Sequence, residues 1–213
     1  RQLIDVAKHH DRLLQVGHLE RFNAAVLAAE AHLSNPRFIE CQRLAPFKER
    51  GTDVNVVLDL MIHDIDIVQT IVGAPIETID AVGTPVFSGA VDIANARLRF
   101  ANGCVANVTA SRVSLKTERK LRVFRDDAYV SIDLQQKILT VIRKRAAAAG
   151  PGELPVTIEE QNFEQGDALR AEIASFLDCI RERRRPVVDG EDGLRALETA
   201  TRITAQLGAV AAA

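Results

Sequence analysis

The segment VLDLMIHDIDIV, residues 57 to 68, sets eight large apolar side chains around three carboxylates and a histidine. Few architectures can hold such a helix. Thr52, Asp53 and Asn55 precede it as candidate N-caps, and Gly73 followed by Pro75 marks its end. At about 100° per residue, Asn55, Asp59, His63, Asp66 and Thr70 fall on one narrow stripe. Val57, Leu60, Met61, Ile65, Val68 and their apolar neighbours cover almost everything else. A helix that is apolar nearly all round is buried, so its polar stripe has to face a polar surface, and a cleft is such a surface.

The rest of the chain reads as two kinds of structure. Arg1 to His10 has helical spacing of Leu3, Ile4, Val6 and Ala7, and Arg12 to Gly17 is a short apolar run expected to be a strand. Helix followed at once by buried strand is half of a βαβ unit. Residues 24 to 33 read as a short amphipathic helix and Arg37 to Ala45 as a strand. After the buried helix come runs at Glu77 to Gly83, Asp92 to Phe100, Cys104 to Ser111, Lys120 to Arg125, Ala128 to Leu134, Lys137 to Arg143 and Val156 to Glu160. Short turns such as Ala101-Asn102-Gly103 join them, which argues for an antiparallel sheet. Ala146 to Pro155 is a small-residue loop, and two helices, Gly166 to Arg184 and Asp192 to Leu207, close the chain ahead of an alanine tail. The expected fold class is therefore α+β, with a large, mostly antiparallel open sheet and helices on one face.

Composition narrows the function. With 213 residues and 47% hydrophobic content the chain can build a real core, and a net charge of -2 leaves no nucleic-acid footprint. Cys41, Cys104 and Cys179 are odd in number, far apart and without metal spacing, as expected of reduced thiols. No run is long or apolar enough to span a bilayer, and Arg1 with Asp5 does not begin a signal peptide. The expectation is a soluble, cytoplasmic protein that binds neither nucleic acid nor membrane.

Two groups of residues carry candidate chemistry. Asp59 and His63, four apart on a helix, are expected roughly 6 Å apart at Cβ, where the carboxylate could hold one imidazole nitrogen and leave the other facing out as a general base. The bland alternative is a buried pair that satisfies itself. Asp66 and Thr70 on the same stripe favour function. A divalent metal held by Asp59, His63 and Asp66, as in a lyase or isomerase, is a further alternative, although no second histidine is spaced to match. Asp64 lies off the stripe and is expected in a salt bridge or turned to solvent. The second group is Val16-Gly-His-Leu-Glu-Arg-Phe-Asn23, where a strand ends at glycine and then presents His18, Glu20, Arg21 and Asn23. Ligands collect outside the carboxyl ends of strands in open α/β sheets, and an ordinary polar loop is the alternative. His9, His10 and His32 read as solvated or isolated, and Arg181 to Arg185 as cations suited to a helix C-terminus. Ser111 and Arg112 have no partner base, which argues against a serine nucleophile.

The succession LLQVGHLERFNAAV, then VLDLMIHDID, then DALRAEIASFLDCIRERRRPVVDGEDGLRALETATRI resembles the back two thirds of a Gfo/Idh/MocA oxidoreductase, from Arg1 to Leu207. Within that family, VGHLERFN and DLMIHDIDIV are most similar to dehydrogenases of UDP-N-acetylglucosamine. The resemblance implies residues 1–19 as the tail of a Rossmann NAD(P)-binding domain, otherwise missing, and residues 20–213 as a domain for substrate binding and oligomerisation. Its last helix, about 192–207, would pack back toward the Rossmann side. It implies an NAD or NADP cofactor and a sugar or sugar-nucleotide substrate. It also implies a homodimer or homotetramer formed through the open sheet. His63 would be the acid/base histidine and Asp59 its neighbour; Arg21, Asn23, Arg43 and Asp66 would line the substrate cleft, and His18 and Glu20 would lie on the cofactor side. No G-x-G-x-x-G occurs in the 213 residues, and the family's Glu-Lys-Pro lysine is not among them. This chain alone is therefore expected not to transfer hydride. A non-catalytic binding or assembly module is the remaining alternative.

Overall fold

The computed structural model describes residues 1–48, 53–146, 154–164 and 166–210. Thr52, residues 147–153 of the expected loop, and the alanine tail at 211–213 lie outside the described residues. Eight strands form one open sheet: β1 Phe38–Leu44, β2 Ile76–Thr84, β3 Ile93–Phe100, β4 Val105–Ser111, β5 Glu118–Phe124, β6 Ala128–Asp133, β7 Ile138–Lys144 and β8 Val156–Asn162. Their order is β2-β3-β4-β1-β5-β6-β7-β8. Every pairing is antiparallel except β1 with β4. The hairpins follow from local turn chemistry, with Gly103 between β3 and β4 at φ 84°, a backbone that only glycine adopts freely. The insertion of β1 between β4 and β5 is a non-local pairing that no turn signal announces.

Five helices complete the chain: α1 Gln2–His9, α2 Ala24–Ala29, α3 Ile62–Val72, α4 Ala168–Glu182 and α5 Gly190–Val210. Helices α3 and α5 pack against each other and on the sheet. The inward positions of β3 and β4 mix small side chains, Ala94, Ala96, Ala106 and Ala110, with the larger Leu98, Phe100 and Val108, all of them buried. Val57, Met61, Ile65 and Val68 of the α3 segment are fully buried, each worth about 1.5–3 kcal/mol of burial at most. Asn55 caps the segment, its Oδ1 accepting from the Val57 and Leu58 amides at 3.1 Å. Among the described residues, no helix is long and apolar enough to cross a membrane.

Two expectations are corrected here. Arg12 to Gly17 is not a strand, because only a single bridge, Gln15 with Asp189, lies beside it. A strand is an extended segment with a hydrogen-bonded neighbour, and among the described residues no strand runs alongside to supply one. The buried helix is not α-helical from its start either: Val57–Met61 is one π turn, and α-helical geometry begins at Ile62.

The 12–17 segment is held instead by the start of α5. A Cβ on Gly193 would meet Val16 at 2.7 Å from Cγ2 and 3.1 Å from Cβ. Because the valine Cβ is itself close, rotating that side chain gives no relief. Gly193→Ala is therefore expected to destabilise the protein by about 1–2 kcal/mol, overpacking outweighing the gain in helix propensity. Thermal denaturation checks this; a rise in Tm would mean that α5 and the 12–17 segment are not in such close contact.

Candidate active site

Beside the C-terminal half of β1, three parts of the chain meet: the 3₁₀ turn Leu19–Phe22, the start of α3, and β5. Position 43 follows Ile39 and Cys41 in the inward register of β1, so Arg43 is directed into the protein and is 3% exposed. Its guanidinium donates to both carboxylate oxygens of Asp64, at 2.9 and 2.8 Å, and to Glu20 Oε1 at 3.0 Å. Burial opposes the charge on Arg43, but Asp64 and Glu20 outweigh it and hold the guanidinium protonated. Arg119, opposite Arg43 in the β1–β5 register, reaches the same Glu20 oxygen at 3.4 Å and stays 43% exposed.

His63 stands at this network on the first turn of α3. Its ring lies edge-to-face against His18, with centroids 5.7 Å apart. In both rings Nδ1 is buried without a hydrogen-bond partner, and so is Asp66 Oδ2. Burial lowers the His63 pKa from 6.5 to about 4, with Arg43 and His18 adding to the effect, so the ring is neutral near pH 7. Burial also raises the Asp66 carboxyl above its ordinary value, against the pull of His18 and Arg21. Arg21 donates to the Thr70 hydroxyl, donates to Val187 O at 3.2 Å and lies 3.6 Å from Asp66, tying the 3₁₀ turn to α3.

The expected residues thus divide. His18, Glu20, Arg43 and His63 come together, with Asp66 next to His18 and Arg21. Asn23 is turned inward, 4% exposed, capping α2 through Ala25 N and donating to Leu134 O at 3.0 Å. Asp59 forms no hydrogen bond or ion pair with His63. The triple of Asp59, His63 and Asp66 does not assemble either: among the described residues, no group of three or more His, Cys, Asp or Glu side chains could hold a metal ion.

Of the two expectations for Asp64 the salt bridge holds: Asp64 is buried against Arg43, a charge in the inward register of β1 that needed a buried partner. Arg119 depended on the non-local β1–β5 pairing and left no local sign.

Comparison with known proteins finds a family model and several similar proteins. The model of the GFO/IDH/MocA C-terminal domain matches residues 24–131. UDP-N-acetylglucosamine 3-dehydrogenase of Acidithiobacillus ferrooxidans is 37% identical over 202 residues, 94% of this chain and 64% of that protein. Myo-inositol 2-dehydrogenase of Thermotoga maritima is 26% identical over 149 residues, 67% of this chain and 43% of that protein. A solved structure of the Acidithiobacillus ferrooxidans enzyme superposes with a TM-score of 0.90 at 36% identity, covering 98% of this chain and 66% of that one. Levoglucosan dehydrogenase in complex with NADH and levoglucosan shares the fold, with a TM-score of 0.80 at 16% identity over 95% of this chain and 66% of that one. The chain therefore spans slightly less than two thirds of the length of the UDP-N-acetylglucosamine 3-dehydrogenase it matches, and 43% of the myo-inositol 2-dehydrogenase.

Proposed function

The chain belongs to the GFO/IDH/MocA family, and from that premise we propose that it is the substrate-side part of an NAD(P)-dependent dehydrogenase oxidising a secondary hydroxyl of UDP-N-acetylglucosamine or a similar sugar nucleotide. The observation that carries the reading is His63. It is a half-buried imidazole kept neutral near pH 7, at the end of an open sheet and among the charged groups Arg43, Glu20 and Asp64. A neutral imidazole can accept the proton that the hydroxyl loses on oxidation. Asp59, half-buried in the π turn and without contact to His63, is assigned to the substrate rather than to the imidazole.

Pyrophosphate binds at free helix N-termini. At the starts of α2, the α3 segment, α4 and α5 the side chains of Asn23, Asn55, Asp167 and Asp189 already accept amide hydrogens. These four helix starts do not fit the phosphates of a dinucleotide, while α1 begins without such a cap. Two of the four are carboxylates, which repel phosphate. Bound NAD or NADP would supply the hydride acceptor, and a nucleotide-binding domain outside these 213 residues would hold it. Leu3 and Val6 on α1 and Leu169, Ile173, Leu177 and Ile180 on α4 are exposed apolar side chains that such a domain would cover. On the other side, the outer sheet face carries the adjoining rings of Phe38, Phe124 and Tyr129, which suit a second copy of the chain.

The test uses the full-length protein, supplied with NAD or NADP and UDP-N-acetylglucosamine, and follows reduced cofactor by absorbance. Cofactor reduction is expected with the sugar nucleotide and none with the 213-residue chain alone. Absence of reduction with any secondary alcohol, uncharged sugars and inositols included, would sink the proposal.

A further inference from the structure

His18 is the buried titratable group that the chemistry above leaves unused. It is 5% exposed, on the segment that enters the 3₁₀ turn, and its ring meets His63 edge-to-face at 5.7 Å. His18 Nδ1 and His63 Nδ1 are both buried without a hydrogen-bond partner, and Asp66 Oδ2, likewise without a hydrogen bond, has the Arg21 guanidinium at 3.6 Å. Buried polar atoms in a finished core nearly always find partners, so two facing rings that each bury an unsatisfied nitrogen mark a place arranged for more than packing. An edge-to-face contact also has a preferred geometry, which limits how the His63 ring can turn. We propose that His18 is a positioning residue for His63: its ring fixes the plane in which His63 meets the substrate, and its presence opposes a proton on His63.

The physical basis is the coupling of two titratable rings in contact. After burial and Arg43, the His18 ring adds to the cost of a proton on His63. The other charged groups facing His63 are Arg43 on β1, Asp64 on α3 and Glu20 on the 3₁₀ turn, with Arg119 of β5 acting through Glu20. Asp66 faces His18 and is itself faced by Arg21, Asp192 and Arg195. All of these are kept when only His18 is changed.

The role of His63 as proton acceptor rests on the function proposed above, so the decisive measurement does not require activity. In full-length protein with isotope-labelled histidine, His63 is titrated by NMR in the parent and in His18→Phe, which keeps an aromatic ring and removes both nitrogens. The His63 titration is expected to move up by about one pH unit. His18→Asn, smaller and uncharged, is to move it in the same direction, which covers the case in which the phenylalanine does not fold. A His63 titration that stays within about 0.2 unit in the variant that folds would overturn the proposal. If the parent oxidises a sugar nucleotide, the acidic limb of its kcat/KM profile is expected to move with the NMR titration. If the parent oxidises nothing, the functional reading falls while the titration still decides the role of His18.

Discussion

His63→Ala in the full-length enzyme is expected to lower kcat by about 10²–10⁴-fold, the range over which a positioned general base contributes, with little loss of stability. The two effects separate because His63 makes no hydrogen bond that folding depends on. Its Nδ1 is buried without a partner, so removing the ring deletes an unsatisfied polar atom as well as packing. The pH dependence follows from the lowered pKa. Above about 6.5 the ring is neutral in both the folded and the unfolded chain. As pH falls below that value the unfolded chain takes up a proton, while the folded ring resists until about 4, so stability is lost across this window. The acid side of the stability profile of His63→Ala should therefore be shallower than that of the parent. Urea denaturation between pH 4 and 7, beside steady-state kinetics, measures both. Equal losses in kcat and stability would return His63 to the role of a core histidine.

How much of this was legible in advance depends on the range over which each feature is decided. The buried helix, the hairpins β2-β3-β4 and β5-β6-β7-β8, and the closing pair α4 and α5 were all readable, because apolar spacing and turn residues decide them locally. Placing β1 beside β4 and β5 was not, and Arg119 was missed with it. An unbroken α-helical stripe sets Asp59 against His63, but the segment holds a π turn at Val57–Met61 and no hydrogen bond or ion pair joins the two side chains. Asp64, off the stripe, is expected in a salt bridge or in solvent; the salt bridge forms, and its partner is Arg43, the charge in the inward register of β1.

The largest expected loss of stability lies at that pair. Arg43 and Asp64 side chains are each 4% exposed and joined by two hydrogen bonds. Removing one partner leaves the other charge in a place where water cannot replace the lost contact. Asp64→Ala is therefore expected to cost about 3–5 kcal/mol, the range for breaking a buried ion pair, and to lower Tm by roughly 10 °C. Glu20 moderates the loss, since its Oε1 also contacts Arg43 at 3.0 Å. It cannot abolish it, because Glu20 is shared with Arg119 and meets a different edge of the guanidinium. Arg43→Met combined with Asp64→Leu removes both charges at similar volume and should restore most of the stability, as replacing a buried pair by apolar groups can be neutral or better. The double variant should nevertheless lose activity, since it removes Arg43, which lowers the His63 pKa and anchors Glu20 at the edge of the site. Recovery of stability without recovery of turnover would assign the pair to shaping the environment of His63. A cost below about 1 kcal/mol for Asp64→Ala would instead place the two side chains in water, where exposed ion pairs contribute that little.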